Sequence, residues 1–221
     1  MKFYCYLFDL DNCLLYIPKP WQYFDNILIE TIQEFSVEEI PDKDERKAFF
    51  KSEDHYTNFL RNWGIVLENY NDFWKVFDSM DFQKRKILMK KDKIFLFPDV
   101  INVLKTLNFA EKKVGLVSNT DKDIVDYVIQ NFNLKEYIHE IFALGYGQEQ
   151  EMAKPSPIGI QIVLKNLGID PGSSNIIMVG DSVTDIAAAK NAKIESCLVK
   201  RKENLHSYNY EEWKFQPDYI V

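Results

Sequence analysis

The sequence predicts an α/β protein, a parallel sheet covered by helices and interrupted by an inserted α-helical bundle. Three observations predict it. Short apolar strands alternate with helical stretches through the second half of the 221 residues, the pattern of a parallel sheet with crossover helices. A further buried-strand run, Phe3 to Phe8, opens the chain. Between these parts glycine almost disappears. Seven of the eight glycines lie between Gly115 and Gly180, while 17 of the 32 aromatic residues fall between Tyr16 and Phe97. Glycine marks tight turns and close backbone approach, so the two stretches are built differently.

The elements follow in order. Pro18 and Pro20 end the first strand region. Trp21, Phe24, Leu28, Ile32 and Phe35 then recur at helical spacing. After Pro41, Asp42 or Asp44 is placed to cap a second helix running to about Arg61. Two more helical stretches are expected near Asn71–Phe77 and Met80–Met89, and no strand is expected in this region. Past Phe97-Pro98 the pattern predicts helices at Asp99–Asn108, Asp121–Asn131, Pro157–Asn166 and Val183–Lys190. It predicts strands at Val114–Val117, Ile141–Leu144, Ile176–Val179, Ser196–Val199 and Tyr219–Val221. Residues 1–16 and 94–221 are thus expected to form the sheet domain, with 17–93 as the helical insert. Trp21, Phe24, Trp63 and Trp74 are expected in the core of that insert.

Composition narrows the function. Apolar residues at 46% and charged residues at 28% are those of a globular chain able to bury a core. The formal net charge of -7 argues against a nucleic-acid partner, which needs a basic face. No apolar run approaches the roughly 18 residues that cross a bilayer, and no signal-peptide pattern opens the chain, so no membrane partner is expected. Cys5, Cys13 and Cys197 form an odd set with no close pair, expected as reduced thiols in a cytoplasmic protein. Gly145-Tyr146-Gly147 has Gln150 where a dinucleotide fingerprint needs a third glycine.

In parallel α/β sheets ligands bind at the carboxyl ends of the strands, and four strand ends carry polar candidates. Asp9-Leu10-Asp11 follows the first strand directly. The same spacing recurs at Asp42/Asp44 and Asp121/Asp123, so location singles this pair out. It can supply a nucleophilic carboxylate beside a second that works as general acid and base, or simply a capped turn. Ser118-Asn119-Thr120 offers a hydroxyl and backbone N–H groups to an anion, or caps the helix from Asp121. Lys154, followed by a proline, is a defined point charge or a solvated surface lysine. Gly180 permits a tight strand-to-helix turn. The i,i+4 spacing of Asp181 and Asp185 places both carboxylates on one face of the starting helix. With Asp9 they form an oxygen-rich site suited to Mg²⁺, the alternative being stabilisation of a helix dipole.

In this order, with segments LVSNT, AKPSP and GDSVTD, the chain resembles the haloacid dehalogenase superfamily. The resemblance covers essentially the whole chain. It implies a Rossmann-like parallel-sheet core with an inserted α-helical cap, in the phosphatase branch that includes phosphoglycolate phosphatase-like proteins. One departure stands in the first motif, where Asn12-Cys13 replaces the Gly-Thr of many relatives. The loop leading into the insert is therefore expected to be shaped or hydrogen-bonded differently.

The resemblance implies roles. Asp9 would attack phosphorus, and Asp11 would protonate the leaving oxygen and then activate water. Ser118, the N–H of Asn119 and Lys154 would hold phosphoryl oxygens. Mg²⁺ would be held by Asp9, the main-chain carbonyl of Asp11 and Asp181, with Asp185 completing the shell or orienting Lys154. Dehalogenases of the superfamily do without an acid at position 11, so Asp11 favours phosphoryl chemistry. The cap implies a small phosphorylated metabolite, such as phosphoglycolate, a sugar phosphate or a nucleoside monophosphate. A phosphomutase and a non-catalytic binding protein on the same scaffold are the alternatives. Arg46, Lys51, His55, Arg61 and Lys84 to Lys86 are insert residues able to reach a leaving group, but none is assigned.

Overall fold

In the computed structural model of the chain, residues 2–50, 52, 55–145, 150–172, 175–202 and 209–221 are described. Two compact units emerge. One comprises the described parts of Met1–Ile17, Phe95–Gly145 and Met152–Val221; the other comprises those of Pro18–Ile94 with Gln150 and Glu151.

The first unit is built on six parallel strands: β1 (Cys5–Phe8), β4 (Lys113–Ser118), β5 (Glu140–Ala143), β6 (Ile176–Gly180), β7 (Glu195–Leu198) and β8 (Tyr219–Ile220). Their order across the sheet is β5-β4-β1-β6-β7-β8. The first strand therefore lies between β4 and β6, with Phe8 level with Leu116 on one side and Val179 on the other. Chain order runs outward from β1 in both directions, which makes its carboxyl end a switch point between the two wings of the sheet. Helices α5 (Val100–Phe109), α6 (Lys122–Asn131), α7 (Ile158–Asn166) and α8 (Val183–Asn191) connect the strands. Cys5, Leu7, Ile160, Val163, Leu164, Met178 and Ala188 share one buried cluster, so sheet and helices bury apolar faces against each other. Gly115 belongs to this packing, because a Cβ there would stand 2.6 Å from Val163 Cγ1.

An unexpected two-residue ribbon accompanies the sheet. Strands β2 (Leu15–Tyr16) and β3 (Phe95–Leu96) pair antiparallel, with the Tyr16 and Phe95 rings 4.8 Å apart. Two residues are too short to leave a period-2 signal in the sequence.

The second unit holds four helices, partitioned differently from the expectation. These are α1 (Pro20–Glu34), α2 (Lys43–Phe49), α3 (Tyr56–Asn62) and α4 (Asn71–Lys90). Asp42 caps α2 by accepting from the Asp44 and Glu45 N–H groups at 2.8 and 2.9 Å. The expected single helix from there to Arg61 is instead two. The Ser52 hydroxyl donates to the Phe49 carbonyl at 2.7 Å, and α2 ends at Phe49. The two expected stretches at 71–77 and 80–89 are one helix. Its buried stripe runs Phe73, Phe77, Asp81, Arg85, Met89 at i,i+4 spacing, and two charged members interrupt the apolar pattern. Arg85 is fully buried and pairs with Asp81 at 2.8 Å, and Asp81 also accepts from the Tyr23 hydroxyl at 2.5 Å.

The unit's core is aromatic. Phe49 stands 5.1 Å from Trp63 and 5.6 Å from Trp74, ring centre to centre, so both tryptophans pack inward. Trp21 is instead exposed at 36%, against the expectation of a core position. Arg46 is buried in a two-pronged pair with both Asp25 oxygens. Arg61 hydrogen-bonds Tyr70, Lys84 pairs with Glu30, and Lys86 lies over the Phe82 ring. Lys51, Tyr146 and Gly147 lie outside the described residues.

Candidate active site

Four segments converge at the carboxyl edge of the sheet. Asp9 leaves the end of β1 with its N–H held by the Val179 carbonyl at 2.9 Å. Its side chain is buried, and its Oδ1 accepts from Lys154 Nζ at 2.5 Å. The same ammonium donates to Asp185 Oδ1 at 2.6 Å and to the Val117 carbonyl at 2.9 Å. Lys154 is thus a buried cation with all three donors engaged, not a solvated surface lysine. Its peptide bond to Pro155 is cis.

Ser118 ends β4 and is almost fully buried. Its Oγ accepts from the Thr120 N–H at 3.1 Å, and the Thr120 hydroxyl donates to Asp11 Oδ2 at 2.8 Å. The segment after β4 therefore orients the carboxyl of the segment after β1. Asn119 engages Lys154 through its side chain as well, with Oδ1 accepting from the Lys154 N–H at 2.8 Å. The helix behind this segment has its own cap in Asp121, which accepts from the Asp123 N–H at 2.8 Å. Ser118 and Asn119 are therefore not needed as caps.

Asp181 and Asp185 come together differently from the expectation. Helix α8 begins at Val183 with Ser182 as its cap, so Asp181 stands in the turn outside the helix. Asp185 sits in the first turn, where its Oδ2 accepts from the Ser182 N–H at 3.0 Å and the Ser182 hydroxyl at 2.6 Å. The convergence arises from the turn, not from a shared helical face. Gly180 makes it possible by absence of bulk: a Cβ there would stand 2.3 Å from Asp185 Cγ. Oxygens of Asp9, Asp181 and Asp185 lie within 4.8 Å of one another.

The first-motif departure has a local explanation. Asn12 is in the left-handed region at φ 59°, which asparagine tolerates better than most side chains. Its Oδ1 accepts from the Ile17 N–H at 3.2 Å, a bond that glycine lacks. The Cys13 thiol donates to the Val179 carbonyl at 3.5 Å, tying the turn to β6. All three cysteines are free and buried. Burial pushes the Cys13 thiol well up, and the Asp9 carboxylate adds to it.

Charge at the site is unbalanced. Burial pushes the Asp9 carboxyl up to about 7; Lys154 opposes this and Asp185 reinforces it. Burial likewise raises Asp181, helped by Asp185 and Asp9. Burial works against the Lys154 ammonium, but Asp185 and Asp9 outweigh it and hold its pKa above the ordinary value. One lysine serves a cluster of carboxylates in which Asp9 and Asp185 are buried and Asp181 is half-buried. An oxygen-only donor set with surplus negative charge fits a hard divalent cation such as Mg²⁺.

Comparison with known proteins bears on this arrangement. The sequence model of the family described as haloacid dehalogenase-like hydrolase matches residues 6–199, most of the chain. The chain belongs to the haloacid dehalogenase-like hydrolases. A phosphoglycolate phosphatase of Vibrio vulnificus is 34% identical over 128 residues, covering 57% of this chain and 52% of that protein. One from Salmonella choleraesuis is 31% identical over 118 residues, covering 53% and 43% respectively. The chain spans about half the length of the curated relatives it matches. Among solved structures, CbbY from Rhodobacter sphaeroides, in complex with phosphate, shares the fold. Its TM-score is 0.72 over 99% of this chain and 93% of CbbY, at 19% identity. The chain has no helix, among its described residues, that is long and apolar enough to cross a membrane.

Three features of this site go unassigned from sequence: the Thr120 hydroxyl on Asp11, the Asn119 amide on the Lys154 backbone, and the Ser182 cap on Asp185. Thr120 and Ser182 lie inside the motifs and so were within reach. The Asn119 contact spans 35 residues of sequence and leaves no local signal.

Proposed function

We propose that the chain is a Mg²⁺-dependent phosphatase that hydrolyses a small-molecule phosphate monoester through an aspartyl-phosphate at Asp9. One observation carries the reading: Asp9 and Lys154 meet at 2.5 Å on the carboxyl edge, with Asp181 and Asp185 beside them. Family membership and the phosphoglycolate phosphatase relatives support the reaction class.

In this reading an Asp9 oxygen forms a bond to phosphorus while the bond to the leaving oxygen breaks. Asp11, held by Thr120, gives its proton to that leaving oxygen. A water then gives its proton to Asp11 and attacks phosphorus, the bond to Asp9 breaks, and phosphate departs. Lys154, the Ser118 hydroxyl and the Asn119 N–H hold the phosphoryl oxygens. The shared ammonium also shields approach of the anionic nucleophile to an anionic ester. Asp9, the Asp11 carbonyl, Asp181 and Asp185 would hold Mg²⁺, which neutralises charge on the phosphoryl group when bound. Both Asp185 oxygens already accept hydrogen bonds, which supports its role in orienting Lys154.

The reading assigns residues 17–93 to substrate selection, and phosphoglycolate is the first ester to try because of the relatives. A panel of phosphate monoesters, assayed for phosphate release with and without Mg²⁺, tests the proposal. Release of phosphate that needs Mg²⁺ is expected. Turnover with no net phosphate would indicate a mutase, and an inert panel would favour a binding protein.

A further inference from the structure

Arg201 lies outside all four motifs, three residues past β7. Its Nε and Nη2 both donate to the Cys13 carbonyl, at 3.1 and 2.7 Å. Its Nη1 donates to Asp99 Oδ1 at 2.7 Å, and the guanidinium lies 4.1 Å from the centre of the Phe97 ring. The side chain is only 14% exposed, so the guanidinium is largely removed from water, while Asp99 is about half exposed.

The grip joins three distant stretches of chain. Cys13 is two residues past Asp11 and two before β2, while Phe97 directly follows β3. The intervening turn closes mostly on itself, with the Leu14 and Leu15 N–H groups donating to the Leu10 carbonyl and that of Asn12 to Leu15. The Phe97 N–H donates to the Leu14 carbonyl at 3.0 Å. A ribbon of two residues per strand is marginal unless something fixes its ends. Arg201 fixes one end from both strands: it holds Cys13 ahead of β2, and Phe97 and Asp99 after β3, where Leu15 pairs with Leu96.

We propose that Arg201 is a positioning residue for Asp11. By gripping the Cys13 carbonyl against Asp99 and Phe97, it sets the turn that aims the Asp11 carboxyl at the leaving oxygen. A planar fork can stack on the ring while it bonds the carbonyl and the carboxylate; a lysine ammonium cannot do all three. The inference rests on the role of Asp11 as acid given above.

Full-length Arg201→Met and Arg201→Lys test it, with amide hydrogen exchange and two ester substrates in saturating Mg²⁺. Nitrophenolate departs without a proton, whereas an alkoxide needs one from Asp11. In Arg201→Met, exchange at Asn12, Leu14, Leu15 and Ile17 should rise on the order of tenfold, with β6 unchanged. Turnover of an alkyl phosphate should fall about 10²-fold, and that of nitrophenyl phosphate by less than about threefold. Arg201→Lys should recover part of both losses. Unchanged exchange in the turn, an equal rise in β6, or equal losses on the two esters would overturn the proposal alone. A wild-type protein inert on both esters would overturn it together with the phosphatase reading.

Discussion

The side-chain amide of Asn119 pairs with both backbone polar groups of Lys154. Its Oδ1 accepts from the Lys154 N–H at 2.8 Å, and its Nδ2 donates to the Lys154 carbonyl at 3.1 Å. A side chain here does what a neighbouring strand would do in a ladder. The loop carrying Lys154 has no strand partner of its own, so this pairing supplies one. Asn119→Ala should lower kcat/KM by about 10- to 10²-fold and stability by about 1–2 kcal/mol, through lost positioning and two unpaired backbone groups. Asn119→Asp keeps the acceptor and should fall between. Steady-state kinetics and urea unfolding check both values.

Gly180→Ala should separate packing from chemistry. The added methyl would stand 2.3 Å from Asp185 Cγ, and Asp185 is fully buried in the cap of α8. Relief requires moving Asp185 away from Lys154. A loss of about 2–3 kcal/mol and a collapse of activity are expected together. Gly115→Ala meets Val163 and Leu7 instead, so it should destabilise with a much smaller change in kcat. Equal effects of both substitutions on kcat would contradict this account of Gly180.

Mg²⁺ should stabilise the fold without any substrate. Clustered carboxylates with raised pKa values lose their mutual repulsion when a cation binds among them. At 100 times its dissociation constant the ion should add about 2.7 kcal/mol, read as a rise in Tm. Asp181→Asn should abolish most of that rise while leaving the metal-free protein at least as stable, because a half-buried like charge is removed. A Tm that ignores Mg²⁺ would count against the carboxylate cluster as a metal site.

The C-terminal strand carries a pH-dependent clasp. Asp218 Oδ2 accepts from the Ser196 N–H and hydroxyl, each at 2.8 Å, and Oδ1 from Lys190 at 2.5 Å. Burial pushes this carboxyl up, but Lys190 and Ser196 outweigh it and hold it below its ordinary value. A depressed folded pKa stabilises above the unfolded value of about 3.9 and loses that stabilisation as pH falls through the folded value. Asp218→Asn should therefore cost about 1 kcal/mol at pH 7, discounted for a side chain about one-third exposed. The difference should shrink in urea unfolding as pH falls below the unfolded value of about 3.9.

The site was legible in sequence wherever a polar group directly follows an apolar strand. Asp9, Ser118 and Asp181 all do, and all converge. Lys154 was legible only through the order of the motifs, because no strand immediately precedes it. The i,i+4 argument for Asp181 and Asp185 failed because the Ser182 capping box starts the helix at Val183, two residues after Asp181. Helix α4 reads as two stretches because the polar pair Asp78-Ser79 falls between them, although both residues lie within one continuous helix. The β2–β3 ribbon and Arg201 depend on contacts across long sequence separations. Local pattern carries no trace of them.

A single-turnover acid quench tests the central claim most directly. The protein is mixed with a phosphate monoester that it turns over and with Mg²⁺, quenched within one turnover, and mapped by peptide mass. The account predicts a phosphoryl group on the peptide containing Asp9, absent when the ester is omitted and absent in Asp9→Asn, which should also have lost turnover. Hydrolysis by Asp9→Asn at the wild-type rate, with no phosphoryl group trapped on the wild-type peptide, would contradict it.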